Sequence, residues 1–311
     1  GLRQVLAFAR GRRLGSVSVT DIPPARRALA ESFIELLALD ALVRASARSV
    51  HVAPERLAVT SAVVKYLVPS RVDAALRRLA VILGARHYLR GTTFEKLQRD
   101  HGLVALFDGS TVVNLHSLAQ ELPRMTSRAE GGSLPERLAT IYDLRRPLPE
   151  FRPEALHVVA RGDDEVPHVL AWASATIAAL TDDAIDPVVR DALVTSLAAV
   201  TEARVVNLAA GVSRERPMAQ PPEVFTAAER HARFHAAALC TAVWLQNRAT
   251  FDAYFARGEW LALALAQLHG APVTPAMSAW YERAFERLDA LDRADCALAL
   301  EPFAHTPEAA R

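Results

Sequence analysis

Cysteine is scarce. The 311 residues hold two, Cys240 and Cys296, far apart in the chain. That excludes a disulfide framework and a thiolate zinc site, and it fits a reducing cytosol. A charge excess is missing too. Lys and Arg number 36 against 35 Asp and Glu, for a formal charge of +1, without the basic surplus of a general nucleic-acid binder. No apolar run is long enough to span a bilayer: the greasiest stretch, Val169 to Leu180, is short and carries Ser174 and Thr176. The opening apolar run is followed by Arg10, Arg12 and Arg13, unlike a signal peptide. GxGxxG, the Walker A loop and the GxSxG elbow are absent, which removes three common enzyme signatures.

Apolar residues are plentiful. They make up 51% of the chain, charged residues 23%, and mean hydropathy is +0.11. Such a chain buries a substantial core, and its length suggests two domains more readily than one. It begins with Gly1 rather than Met, as a processed or partial chain would. Alanine, leucine and arginine dominate, and all three favour helix. Leu29, Phe33, Leu36 and Leu37 recur at helical spacing, as do Val72, Ala75, Leu76, Leu79, Ile82 and Leu83, and Val112, Leu115, Leu118, Ala119 and Leu122. No alternating apolar runs flank an Asn-Gly or Asp-Gly turn, so the chain reads as all-α, with at most a short extended piece at Val17 to Val19.

The spacing predicts helices to about Leu14, over Ala25–Ser49 and over Glu55–Leu83, the last kinked at Pro69 and stopped at Gly84. Helical turns follow over Phe94–Leu106, and another helix over Thr111–Leu122. Pro123 to Pro135, with Gly131-Gly132-Ser133, reads as a linker that prolines 147, 149 and 153 prolong. Helix resumes near Glu154, and Pro217, Pro221 and Pro222 mark a second loop. All four tryptophans, 172, 244, 260 and 280, lie in this second half, which suggests a core of its own. The expected division is residues 1–125 as a bundle, 126–153 as a linker and 154–311 as a further helical domain.

Several residue groups are candidates for chemistry. His231 and His235 are spaced i, i+4, as two imidazoles on one metal would be, but no carboxylate lies between them and no third ligand is identifiable. The expectation is no metal. Asp163-Asp164-Glu165 is acidic, and Asp182 to Asp186 reads as a helix start with acids in its first turn. Arg77-Arg78, Arg86 and Arg90 suit either phosphates or a solvated face. Asp108 precedes a helix amid Val104, Leu106, Phe107, Val112 and Val113. Desolvation there would raise its pKa towards that of a useful base, partly opposed by the helix N-terminus. An ordinary helix cap is the other reading, and the residues alone leave both open.

The stretch Leu83 to Asn114 carries more. Gly84-Ala85, Tyr88, Glu95-Lys96, Arg99-Asp100 and Phe107-Asp108-Gly109-Ser110 stand in the order and spacing of a known pattern. It is a glycine pair, a loop aromatic, Glu-Lys, Arg-Asp, then Tyr-Glu-Gly-Thr. Ala62 to Lys65 resembles the Ala-x-x-Lys upstream of it. Phe8-Ala9-x-x-Arg12 with Leu14-Gly15 resembles Tyr-Ala-x-x-Arg-x-x-Phe-Gly, one residue shorter. Over about residues 3 to 125 the chain resembles the C-terminal helical domain of the acyl-CoA dehydrogenase and acyl-CoA oxidase family.

The resemblance implies an all-α four-helix-bundle domain of that type followed by a second helical domain. It implies FAD and an acyl-thioester substrate, on coenzyme A or a carrier protein, within fatty acid metabolism. Asp108 takes the place of the base that removes the α-proton, and its backbone N–H helps polarise the thioester carbonyl. Arg12 matches the arginine that meets flavin phosphate across a subunit interface, and Gly84 and Ser110 match cofactor-side positions. The chain departs from the pattern at Asp108, one methylene shorter than Glu, at Val81 in place of a glutamine, and at Ala85 in place of the second glycine. The family's N-terminal helical and β-barrel domains, one wall of the flavin pocket, have no counterpart. The expected protein is therefore the C-terminal part of a flavin-dependent dehydrogenase or oxidase, completed by a missing half or a partner subunit in a homo- or hetero-oligomer. A non-catalytic helical subunit that has lost flavin is the alternative, and an unrelated helical scaffold the third. Of the second half, Arg230–Leu245 and Trp260–Leu268 suit packing on the bundle or dimerisation.

Overall fold

The computed structural model describes residues 1–107, 109–122, 133–157, 164–208 and 221–304. They are all-α apart from one hairpin and one isolated bridge. Helix α1 spans Leu2–Gly11, and Arg13–Leu14 then pairs antiparallel with Val17–Ser18. Helices α2 (Pro23–Val52), α3 (Leu57–Leu83), α4 (Thr93–Val104) and α5 (Thr111–Glu121) complete the first part. Then come α6 (Glu136–Tyr142), α7 (Val166–Ala178), α8 (Pro187–Leu208), α9 (Pro222–Asn247), α10 (Ala253–Ala256), α11 (Glu259–His269) and α12 (Pro275–Arg293).

Local chemistry explains most boundaries. Prolines 23 and 24 open α2, where a missing N–H costs nothing. Side chains of Thr92, Ser110, Asp252 and Thr274 accept backbone N–H groups at the starts of α4, α5, α10 and α12. The acidic run precedes α8 instead of entering its first turn, which holds no acid: Asp186 accepts from Val188 N at 2.8 Å, and Arg190 holds Asp182 at 2.7 Å. Helix α3 continues through Pro69, which is buried within it. It stops at Gly84, whose φ of +58° turns the chain away while its N–H closes onto the carbonyls of Ala80 and Val81.

Helix α2 is the spine. It packs on α3 along one side and on α9, α11 and α12 along others, and α3 packs on α5. Leu29, Phe33, Ile34, Leu37 and Leu42 are buried along it. The apolar core is continuous from α1 to α12. The chain's first and last helices are joined: Arg10 reaches Asp289 and Asp292, both at 2.5 Å, and Arg3 meets Asp292 at 2.8 Å.

One stretch differs from the sequence pattern. The segment expected as a linker contains α6, whose Leu138, Ile141 and Tyr142 are buried. Side chains from distant helices hold it. Arg48 of α2 donates to the carbonyls of Thr140 (2.8 Å), Ile141 (3.0 Å) and Arg146 (2.7 Å). Buried Asn247 of α9 donates to Tyr142 O at 2.8 Å and accepts from Leu144 N at 3.0 Å. Helices α9 and α11, which suited either internal packing or dimerisation, lie inside. Helix α11 is apolar nearly all round, as a buried helix requires, whereas α9 is buried mainly beyond His231 and keeps Glu223 and Arg230 exposed near its start.

The turn before α11 rests on two indoles. Trp244 and Trp260 both donate to Phe255 O, at 3.1 and 3.0 Å, and both are fully buried. Gly258 sits against them at φ +79°, where a Cβ would fall 2.8 Å from Trp244 Cζ2. The indole is pinned and cannot yield. Gly258→Ala is therefore expected to combine left-handed backbone strain with overpacking, about 2–4 kcal/mol together. Urea unfolding checks this; a loss under about 1 kcal/mol would show that the loop relaxes freely.

Candidate functional site

The patterned stretch forms one exposed surface from the end of α3 to the start of α5. Val81, Tyr88, Leu89, Leu103, Leu106, Phe107, Val112 and Val113 are all at least half exposed there. After Gly84 a 3-10 turn runs to Tyr88. His87 Nδ1 lies 2.6 Å from Gly84 O, and the Arg86 guanidinium sits over the Phe8 ring of α1 at 5.4 Å, which brings this turn to the helix that ends beside Arg12.

On α4 the two charged pairs of the pattern neutralise one another along the helix. Arg99 reaches Glu95 at 3.2 Å, and Lys96 bonds Asp100, whose carboxyl is held below its ordinary pKa by that bond. The α4–α5 corner is fixed from several directions. Thr111 donates to Ala105 O through its N–H (3.0 Å) and its hydroxyl (3.2 Å). Asn114 Nδ2 donates to Gly109 O and Ser110 O, each at 3.0 Å. Lys65 reaches across from α3: its ammonium donates to Val104 O at 3.0 Å and stands 4.3 Å over the Phe107 ring. The Ala62–Lys65 pattern and the Phe107–Ser110 pattern therefore meet at one corner. Asn114 was not singled out as a clamp by the sequence, although an amide five residues after Gly109 is the signal for it.

The candidate residues divide as follows. Asp108 lies outside the described residues. Ser110 is the N-cap of α5, accepting from Val113 N at 3.4 Å. Gly84 is exposed, with open space where a Cβ would point. Arg12 is exposed at the end of α1. No hydrogen bond or ion pair among the described residues joins Arg12 to Ser110. Of the other arginines, Arg78 is engaged with Glu31 at 3.3 Å and Ser32 at 3.3 Å, and Arg77 pairs with Asp73; Arg86 and Arg90 remain on the surface.

His231 and His235 face inward on α9, with ring centroids 6.2 Å apart. Among the described residues no three His, Cys, Asp or Glu side chains are grouped to hold a metal ion. Burial, with help from His231, pushes His235 down to about 3. Its folded pKa thus lies below its unfolded value of about 6.5. The stability that follows is complete above pH 6.5 and is lost as pH falls towards 3, because only the unfolded chain takes the proton. His235→Gln is expected to flatten unfolding free energy against pH between 6.5 and 5 by about 1.4 kcal/mol per pH unit. His269, pushed to about 4 by burial, keeps its own contribution in the variant. Equal slopes for variant and parent would mean that His235 is protonated in the fold.

Residues 1–122 match the family model "Acyl-CoA dehydrogenase, C-terminal domain". This part of the chain is similar to an acyl-CoA dehydrogenase C-terminal domain. The match ends with α5, and the dehydrogenase-type domain therefore holds every patterned position described above. Solved structures similar to the whole chain include acyl-CoA oxidase 3 from Yarrowia lipolytica, at 13% identity and TM-score 0.49, over 94% of this chain and 46% of that one. Arabidopsis thaliana acyl-CoA oxidase 1 gives 15% and 0.47, over 94% and 47%. An acyl-CoA dehydrogenase complexed with FAD from Bacillus anthracis gives 12% and 0.39, over 94% and 53%. The chain thus spans about half the length of these proteins. No curated protein matches it by sequence. No described helix is long and apolar enough to cross a membrane.

Proposed function

We propose that the chain is the C-terminal part of a flavin-dependent enzyme that dehydrogenates an acyl thioester between its α and β carbons. The observation that carries this reading is the family match over residues 1–122, with an exposed stretch from Val81 to Val113 braced at the α4–α5 corner. Ser110 fills the N-cap of α5, so capping that helix does not account for an aspartate two residues earlier. Asp108 is read as the group that removes the α-proton, with its backbone N–H directed to the thioester carbonyl.

The residues present fit one side of FAD. Arg12 offers an exposed cation to a phosphate, Gly84 leaves the backbone open to close approach, and Ser110 offers a hydroxyl. FAD, when bound, supplies the hydride acceptor. The exposed apolar surface around Leu106, Phe107 and Val112 is the kind that a partner domain covers. The other wall of the pocket is read as a missing half or a partner subunit, within a homo- or hetero-oligomer.

One observation favours a second reading. Val81 stands 80% exposed where relatives carry a glutamine, and Ala85 replaces a glycine. A helical subunit that kept the bundle for assembly and gave up flavin would tolerate both. Titration with FAD separates the readings. This chain alone is expected to bind FAD weakly or not at all, and addition of a dehydrogenase N-terminal half is expected to give a yellow complex. A reconstituted complex that stays colourless supports the non-catalytic reading. Stoichiometric FAD on the isolated chain would overturn the half-site.

A further inference from the structure

A small, partly open cavity of about 30 Å³ lies where α2, the start of α3, α6, the start of α7 and α9 meet. It is the place where the dehydrogenase-type domain touches the helices that follow it. Its wall is polar for so deep a position. Arg56 is 7% exposed, Asp164 2% and His235 9%. Ser49, Thr60, Tyr142 and Glu165 complete the polar lining. His235 Nδ1 is buried and has no hydrogen-bond partner among the described protein groups. An imidazole nitrogen left bare in such a place is costly, and small polar cavities of this kind normally carry a guest.

Size and charge narrow the guest. A water molecule needs about 10–15 Å³ of such space, so the cavity holds one or two and nothing much larger. Among the described residues, the charged side chains on or beside the wall are Arg56 and Arg137 against Glu55, Asp164 and Glu165, with Arg137 bonded to both glutamates. Three carboxylates against two cations do not attract an anion. Among the described residues no three ligating side chains are grouped here for a metal cation. Donors from Arg56, Thr60 and Tyr142, and acceptors from Asp164 and His235, suit a molecule that both gives and takes hydrogen bonds.

We propose that this cavity is a binding site for one or two structural water molecules, one of which donates to His235 Nδ1 and joins α9 to the start of α3. The ring proton then sits on Nε2. The site does not depend on the flavin reading: it lies in the seam behind the bundle, and it stands or falls without any cofactor.

Two measurements test it. The first is a crystal structure of the whole chain at about 1.6 Å, with a bromide-soaked crystal beside it. The expected result is a water peak about 2.7–3.2 Å from His235 Nδ1, shared with at least one of Arg56, Thr60, Tyr142 or Asp164, and no bromide signal in the cavity. A cavity without density, a bromide peak, or Nδ1 bonded directly to a protein atom would each overturn the proposal. The second is oxygen-17 relaxation dispersion in solution, which counts long-lived internal waters. His235→Phe removes the acceptor and fills the space, and the count is expected to drop by one or two. An unchanged count in a folded variant would overturn the proposal, and if that variant fails to fold the parent crystal structure decides alone.

Discussion

Replacing Asp108 by Asn in the completed enzyme is expected to slow flavin reduction by an acyl thioester by about 10²- to 10⁴-fold, the usual cost of losing a general base. Asn keeps the size and one acceptor but takes no proton. Flavin binding is expected to survive, because the backbone N–H and Ser110 remain. Asp108→Glu is expected to be tolerated or faster, since it restores the reach of the family's residue, and a base misplaced by about 1 Å can cost roughly 10²-fold. A purely structural aspartate makes opposite demands. As a cap it would accept Asn almost freely and Glu poorly. Ser110 already occupies the cap of α5, which weakens that competitor before any experiment. Single-turnover flavin reduction, with melting temperature beside it, is the measurement. An Asn variant that reduces flavin at the parent rate removes Asp108 from the mechanism and moves the search to another helix.

The largest stability loss is expected at the seam of α2 and α3. Glu35 is only 2% exposed and is gripped by both arms of Arg71, Nε at 2.5 Å and Nη2 at 2.7 Å. Arg78 stands farther off, at 3.9 Å. Arg71→Met leaves a buried carboxylate without its main partner, a change that costs about 3–5 kcal/mol. At this chain length that is about 6–10 °C of melting temperature, at roughly 2 °C per kcal/mol. The pair itself need not be stabilising relative to apolar residues. Glu35→Leu combined with Arg71→Met is therefore expected to recover most of the loss, because no charge is left to desolvate. Urea denaturation of the parent, the single and the double variant measures this. A single variant within about 1 kcal/mol of the parent would mean that Arg78 or water takes over, and that the seam is less closed than its burial suggests.

The helices of the dehydrogenase-type domain were legible because their signals are local. A 3.6-residue apolar period, prolines at the start of α2, Gly84 at the end of α3 and threonine or serine caps each act within a turn or two of where they stand in the chain. The family pattern was legible for a related reason: its residues lie at fixed offsets along two successive helices. Even so, the offsets named Lys65 without its task. Its ammonium finds Val104 and Phe107 only because α3 and α4 fold side by side.

What only the tertiary structure decided is what distant side chains hold. Seven residues of α6 follow a proline in a stretch that reads as a break, and no isolated helix so short is stable. It exists because Arg48 and Asn247, 92 and 105 positions away along the chain, bind the carbonyls at its end. The i, i+4 pair His231 and His235 was plain in the sequence, but whether it faced solvent, a metal or the core depended on what α9 packs against. Short-range patterns reveal an element and its caps, because those energies are made within one turn. Burial is a property of the neighbours that fold over an element, and no spacing within it records them.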